Sequence, residues 1–165
     1  MGNFSVGVER KNAPLGADHL YTLLSRANHY YDNNGFFRVL PSFVVQFGIN
    51  GIPAISKEWE GKTIKDDPVL LSNTRGVLTY ATAGPNTRTT QLFINYGDNS
   101  GLDSQGFSGV GTVVGDGMDI VDKIYSGYGQ TPNQGQIYSE GNSYLKANFP
   151  NLDYIISASI ASSDE

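Results

Sequence analysis

The chain has 165 residues, no cysteine and a formal net charge of −5, with 11 lysines and arginines against 16 acidic residues. This length suits a single domain over residues 1–165 with a substantial core, and the acidic balance argues against nucleic acid or anionic lipid as the main partner. Without cysteine, disulfides, zinc–thiolate sites and a cysteine nucleophile are excluded. Neither a membrane-spanning apolar run nor a signal-peptide pattern is present, so the default expectation is a cytoplasmic protein.

The first third of the chain predicts strands around one helix. Alternating apolar residues predict a strand at 4–8. Pro14 suits the first turn of a helix, which leucines at near-helical spacing continue towards the turn signal at 33–35. Residues 36–48 predict two short strands separated by Pro41, and a connection at 51–73 follows them. The pattern favours a protein built mainly from short strands.

The rest of the chain continues this pattern. It predicts, in order, strands at 77–82 and 91–96, a loop at 97–108, a strand at 111–114, a helix at 118–124, a long polar loop at 126–142, a helical turn at 144–149 and a strand at 154–160. Many short strands with two amphipathic helices are typical of a closed or nearly closed antiparallel barrel capped by helices.

The segment 36–48 carries the clearest chemical signal, because one cation stands among aromatic and β-branched residues. Alternation places Val44 and Gln46 on one face of a strand, and Phe43 and Phe47 on the other. A lone guanidinium and a lone carboxamide in an apolar field indicate a surface that binds a partly apolar ligand through a few polar groups. On local sequence alone, an Arg38 that reaches out to pair with a surface carboxylate is an equally good interpretation.

Three motifs carry a family resemblance. FFRVLPSFVVQFG at 36–48, ATAGPNTRTTQLFI at 81–94 and LDSQGFSGVGTVVGDGMDIVDKI at 102–124 resemble, in order and spacing, the core motifs of the cyclophilin family of peptidyl-prolyl cis-trans isomerases. The resemblance implies a mainly β, eight-stranded antiparallel barrel capped by two helices. It also implies an enzyme that accelerates rotation about X-Pro peptide bonds without cofactor or metal. The chain starts too late to contain in full the usual first strand, so we expect an open barrel edge or another segment covering it.

The resemblance also implies roles for individual residues. Arg38 matches the catalytic arginine, and Gln46 matches the glutamine that holds this arginine and the substrate carbonyl. The matched substrate-binding positions are Phe43, Val44, Phe93, Leu102 and Phe107 for the proline pocket, Ala81, Thr82 and Ala83 along the substrate backbone, and Gln91 at the adjacent groove. Ordinary barrel core is the alternative interpretation of the apolar residues, and a solvated strand face is the alternative for Gln46.

Departures from the family pattern leave alternatives open. Gly101 stands where cyclosporin-sensitive members carry tryptophan, and Phe107 stands where histidine often completes the pocket. We therefore expect weak or no cyclosporin binding by a monomer that acts on proline-containing peptides and proteins. One alternative is a catalytically weak module that binds proline peptides on the same fold, and another is an unrelated β-barrel that binds carbohydrate or a small ligand. The loop at 126–142 exceeds the usual family length, and we hypothesise that it contacts substrate beyond the proline pocket.

Overall fold

The computed structural model describes residues 1–161, and its strands form one antiparallel sheet. The strands are β1 (Val6–Val8), β2 (Arg38–Leu40), β3 (Val44–Phe47), β4 (Val77–Tyr80), β5 (Leu92–Asn95) and β6 (Gly109–Val113). They pair in the order β1-β6-β4-β5-β3-β2. The mainly β class is confirmed, but the prediction of eight strands in a barrel is wrong for this part of the chain, where the sheet has six strands and is not closed. The strand at one edge of this open sheet is β1, which pairs with β6.

The described residues form five α-helices, where the sequence predicted two helices and a helical turn at 144–149. They are α1 (Pro14–Leu24), α2 (Pro53–Glu60), α3 (Gly117–Val121), α4 (Gln134–Glu140) and α5 (Asn142–Asn148). The connection at 51–73 contains α2, which starts on a proline and buries Trp59, and the polar loop at 126–142 contains α4. Over residues 1–161, no helix is both long and apolar enough to cross a membrane.

The predicted strand at 154–160 is also wrong. In place of a ladder, Tyr154 forms a single isolated bridge with Gly35. The backbone around it bonds to the turn at 32–36, where Asn33 N donates to the Ile155 carbonyl over 2.7 Å and Phe36 N to the Asp153 carbonyl over 3.0 Å. Alternating apolar residues make a strand only where a partner strand runs alongside, and this turn is too short to be one.

The core lies against the inner face of the sheet. Val39, Val45, Ile94 and Leu78 stand opposite one another across β2, β3, β5 and β4, and all four are buried in the main apolar cluster with residues of α1. A second cluster joins α4 and α5 to the chain around β2 and β3; its buried members are Phe37, Ile49, Ile137, Tyr144, Leu145, Phe149 and Leu152. This second cluster fixes the position of α4.

A buried ion pair joins the start of α1 to the chain between β4 and β5. The residue before the helix is Ala13, which has no side chain able to cap it. Instead, Asp67 accepts hydrogen bonds from Leu15 N at 3.1 Å and Gly16 N at 2.8 Å. The same carboxylate pairs with Arg88 at 3.0 Å, and both side chains are almost fully buried. Asp67 thus caps the helix and neutralises the buried charge of Arg88.

Replacing Asp67 by alanine tests this role. We expect Asp67→Ala to lower the free energy of unfolding by about 3–5 kcal/mol, because it leaves the Arg88 charge buried without its partner. Urea unfolding followed by the fluorescence of Trp59 measures the loss. Asp18→Ala is the matched control, because Asp18 pairs with Arg10 on the exposed surface. We expect this variant to lose almost none of the free energy of unfolding. Equal losses in the two variants would contradict the interpretation.

Candidate functional site

The outer face of the sheet brings together residues from four strands. Arg38 stands opposite Gln46, Gln46 opposite Phe93, and Phe93 opposite Thr79, across β2, β3, β5 and β4. Directly paired residues of antiparallel strands share a face, so these side chains project away from the core. Arg38 is half-buried at the sheet edge, whereas Gln46 and Phe93 are buried. The sheet therefore carries a cation, an amide and an aromatic ring in one row.

Hydrogen bonds connect the polar members of this face. Arg38 Nη1 donates to Gln46 Oε1 over 3.1 Å, and Gln46 Nε2 donates to Gln91 Oε1 over 2.7 Å. Gln91 Nε2 in turn donates to the Tyr138 hydroxyl over 2.9 Å and to Gln134 Oε1 over 3.2 Å. The three residues that the sequence selected for polar roles thus form one connected chain.

Arg38 makes no ion pair with any carboxylate of residues 1–161 at up to 4.0 Å. The interpretation of Arg38 as one half of a surface ion pair is therefore wrong for the described part of the chain. Besides Gln46, its neighbour is the ring of Phe43, whose centroid lies 5.7 Å from the guanidinium carbon. A cation over an aromatic face at this distance is attracted by about 0.5–1 kcal/mol at an exposed site.

Phe43 reaches Arg38 because the chain leaves the strand pattern before it. Ser42 adopts a φ of 67°, and β3 begins only at Val44. The strict alternation that assigned Phe43 to the same face as Phe47 therefore does not extend to residue 43. Alternation alone placed Phe43 on the face opposite Gln46, and this prediction is wrong because residue 43 lies outside the hydrogen-bonded strand.

The remaining apolar candidates differ in how much of their surface is exposed; they are Phe93, Phe107, Leu102 and Val44. The rings of Phe93 and Phe107 meet edge to face with centroids 5.9 Å apart. Leu102 is half-buried on the short 3₁₀ helix Ser100–Gln105, which precedes Phe107. Val44 lies on the same sheet face as Gln46 but is only 2% exposed, so little of its surface is available to a bound ligand.

The small-residue stretch follows β4 beside Gln91. Ala81 N donates to the Gln91 carbonyl over 3.0 Å, which continues the pairing of β4 with β5. Thr82 is half-buried and Ala83 is exposed, and Ala83 N donates to Thr87 Oγ1 over 2.8 Å. The structure thus places this stretch at or near the surface, next to the backbone of Gln91.

A buried polar network that sequence reasoning missed holds the loop at 97–108. Asn73, with no exposed surface, donates through Nδ2 to Asp103 Oδ1 at 2.7 Å and to the Phe107 carbonyl at 2.8 Å. Its Oδ1 accepts from Thr79 Oγ1 at 2.7 Å, and Ser72 Oγ donates to the other oxygen of Asp103. Asn73 therefore links the loop that carries Leu102 and Phe107 to the sheet.

Sequence reasoning also missed Tyr138 and Gln134, because it assigned their segment to a loop. A local signal existed: Asn133 is followed three residues later by Gln136 and then by apolar residues, which is a helix-start signature. In the structure, Asn133 Oδ1 accepts a hydrogen bond from Gln136 N at 3.0 Å and caps α4.

Comparisons with known proteins agree with this geometry. Residues 1–141 match the family model described as cyclophilin type peptidyl-prolyl cis-trans isomerase/CLD. A peptidyl-prolyl cis-trans isomerase of Acinetobacter baylyi is 35% identical over 131 residues, covering 75% of this chain and 67% of the relative. Peptidyl-prolyl cis-trans isomerase-like 3 of Rattus norvegicus is 31% identical, covering 75% of this chain and 76% of the relative.

Solved structures support the same fold. A cyclophilin type peptidyl-prolyl cis-trans isomerase of Cryptosporidium parvum, crystallised in the presence of the dipeptide Ala-Pro, superposes with a TM-score of 0.64. The two sequences are 22% identical, and the match covers 81% of this chain and 87% of the other. At this identity the likeness concerns the backbone fold.

The loop network predicts a pH dependence. The hydrogen bond from Ser72, together with those from Asn73, holds the pKa of Asp103 below its ordinary value of 3.8. Because the folded state favours the carboxylate, its stabilising contribution is complete above the ordinary pKa and is lost as pH falls through the lowered one. We expect Asp103→Asn to reduce the acid sensitivity of the unfolding free energy below about pH 4, measured by urea unfolding at several pH values. Asp119→Asn is the control, because Asp119 is exposed. The same dependence of the unfolding free energy on pH below about pH 4 in both variants would contradict the prediction.

Proposed function

The chain belongs to the cyclophilin-type peptidyl-prolyl cis-trans isomerase family, and we propose that it catalyses X-Pro isomerisation on the sheet face that carries Arg38, Gln46 and Phe93. The observation that carries this assignment of the site is the hydrogen-bonded row of Arg38, Gln46 and Gln91 beside the Phe93–Phe107 ring pair. Proline-containing peptides and proteins are the substrates, and the Cryptosporidium parvum relative crystallised in the presence of Ala-Pro supports this class. A monomeric state and a cytoplasmic location stay predictions.

The reaction determines what such a site must do. Rotation about an X-Pro bond has a barrier of about 18–20 kcal/mol, because resonance gives the C–N bond partial double-bond character. No covalent nucleophile and no proton shuttle are needed, since no bond is broken. The enzyme has to bind the twisted amide more tightly than either planar form. Each gain of about 1.36 kcal/mol in that preference raises the rate about tenfold.

Arg38 is the proposed electrostatic catalyst. As the amide twists, the prolyl nitrogen regains a lone pair that a hydrogen-bond donor can stabilise. A guanidinium is rigid, keeps its proton and offers several donors in one plane. Gln46 accepts from Nη1, so other N–H groups of Arg38 can reach the prolyl nitrogen and the neighbouring substrate carbonyl. Gln46 is the proposed positioning partner.

The apolar residues are proposed to hold the proline ring, and the small-residue stretch to hold the peptide backbone. Phe43, Phe93, Leu102 and Phe107 form the proposed socket, with Val44 behind them. Ala81, Thr82 and Ala83 lie at the surface beside Gln91, where an extended peptide can run along the chain. Burial of a proline ring against aromatic rings supplies binding energy, while Arg38 supplies the preference for the twisted state.

The first prediction for this site concerns Arg38. We expect Arg38→Ala to reduce the enzyme-accelerated exchange rate of an Ala-Pro-Phe peptide about 10²-fold, the loss typical of removing one preorganised donor. NMR exchange spectroscopy on the cis and trans resonances measures this rate directly. Arg10→Ala is the control, because Arg10 lies on the exposed surface away from the sheet row and pairs with Asp18.

Two outcomes would contradict the assignment. A wild-type chain that binds the peptide without accelerating exchange would be the proline-peptide binding module considered above. Full activity in Arg38→Ala would show that residues other than Arg38 carry the catalysis.

A second prediction concerns cyclosporin. At Gly101 an added Cβ meets no atom within 4 Å, so the position is open where a large aromatic contact would form. We expect weak cyclosporin binding by the wild type, and binding at least about tenfold tighter by Gly101→Trp, because an aromatic ring adds contact area and an N–H donor. Isothermal titration calorimetry measures both affinities. Ser104→Trp on the same 3₁₀ helix is the control, and tight binding by the wild type would show the prediction to be wrong.

A further inference from the structure

The polar chain that starts at Arg38 ends on α4, outside the sheet. Gln91 Nε2 lies 2.9 Å from the Tyr138 hydroxyl and 3.2 Å from Gln134 Oε1. These two residues are one helical turn apart and therefore share a face of α4. The family resemblance assigns neither of them a role.

The chain has a fixed direction. A guanidinium has only donors, so Gln46 must turn its carbonyl oxygen towards Arg38. The amide nitrogen of Gln46 must then donate onwards, and it donates to Gln91 Oε1. This leaves the amide nitrogen of Gln91 as a donor that needs an acceptor. Tyr138 and Gln134 supply these acceptors. With the donor at Arg38 fixed, the amides of Gln46 and Gln91 can each make these hydrogen bonds in only one of their two flipped orientations.

The helix α4, which carries these acceptors, is itself fixed by a cap and by a buried residue. Asn133 caps the start of the helix, Asn133 N donates to the Tyr144 hydroxyl over 3.0 Å, and Ile137 is completely buried in the second apolar cluster. Burial raises the pKa of Tyr138, and its neutral hydroxyl accepts from Gln91 through an oxygen lone pair. By contrast, the side chain of Gln91 has rotatable bonds that its backbone position in the sheet does not fix.

We propose that Tyr138, assisted by Gln134, is a positioning residue for the isomerase reaction: its hydroxyl orients the Gln91 amide, which orients Gln46 and thereby holds the guanidinium of Arg38. This inference rests on the proposed function. It gives α4 a part in catalysis without contact between α4 and the reacting bond. It also differs from the hypothesis that the segment 126–142 contacts the substrate directly.

A double-mutant cycle tests the proposal. We expect Tyr138→Phe to lower kcat about three- to tenfold, the effect of losing one hydrogen bond of modest net strength, and to leave KM within about twofold. In a Gln91→Ala background the same substitution is expected to change kcat no further, because the link through residue 91 is already absent. Tyr128→Phe is the matched control: it removes a hydroxyl from the same segment, one that accepts from Asn151 N at 3.0 Å.

A spectroscopic readout separates positioning from general loosening of the fold. The side-chain NH₂ resonances of Gln46 and Gln91 are expected to shift in Tyr138→Phe and to stay in place in Tyr128→Phe. Wild-type kcat in Tyr138→Phe, an equal loss in the Gln91→Ala background, or unchanged amide resonances would each overturn the inference. A wild-type chain that does not accelerate exchange would overturn the proposed function itself, which the wild-type measurement alone reveals.

Discussion

The pairing register of β2, β3, β5 and β4 is the constraint on which the candidate site depends. Arg38, Gln46, Phe93 and Thr79 stand opposite one another on the outer face, and their immediate neighbours along each strand form a row of the core. Side chains alternate with a period of two, so a slip of one residue would turn the guanidinium into the core and the aliphatic row into solvent. The same three hydrogen-bond ladders therefore fix both the core row of the sheet and the composition of its outer face.

The face of β3 that carries Gln46 could be predicted because alternation within a strand is a local property of the sequence. Gln46 and Val44 share a face, as predicted, and lone polar residues among β-branched neighbours marked that face. Phe43 shows where the rule stops. The left-handed backbone of Ser42 lies just before β3, and alternation holds only inside the hydrogen-bonded strand. Its contact with Arg38 is one that periodicity did not predict.

Other features depend on partners that are distant in sequence. The segment 154–160 alternates like a strand but lies against a turn, so it forms one bridge in place of a ladder. The cap of α1 comes from Asp67, separated from Leu15 by 52 positions, and no local pattern predicts it. Asn73 likewise becomes important only when the sheet brings Thr79 and Asp103 to it. The start of α4 is different, because Asn133 and Gln136 carried a local signal that its polar surroundings obscured.

The partners of Arg38 suit the catalytic role proposed for it. A carboxylate could hold the guanidinium as firmly as Gln46 does, but it would cancel the positive charge and occupy donors that the twisted amide is proposed to use. Within residues 1–161 the guanidinium is held by a neutral amide and an aromatic ring instead. Neutral amides transmit orientation through the direction of their hydrogen bonds and leave the net charge of the cation unchanged. A chain of neutral hydrogen bonds can therefore extend from the sheet to α4 without weakening the electrostatic effect proposed for Arg38.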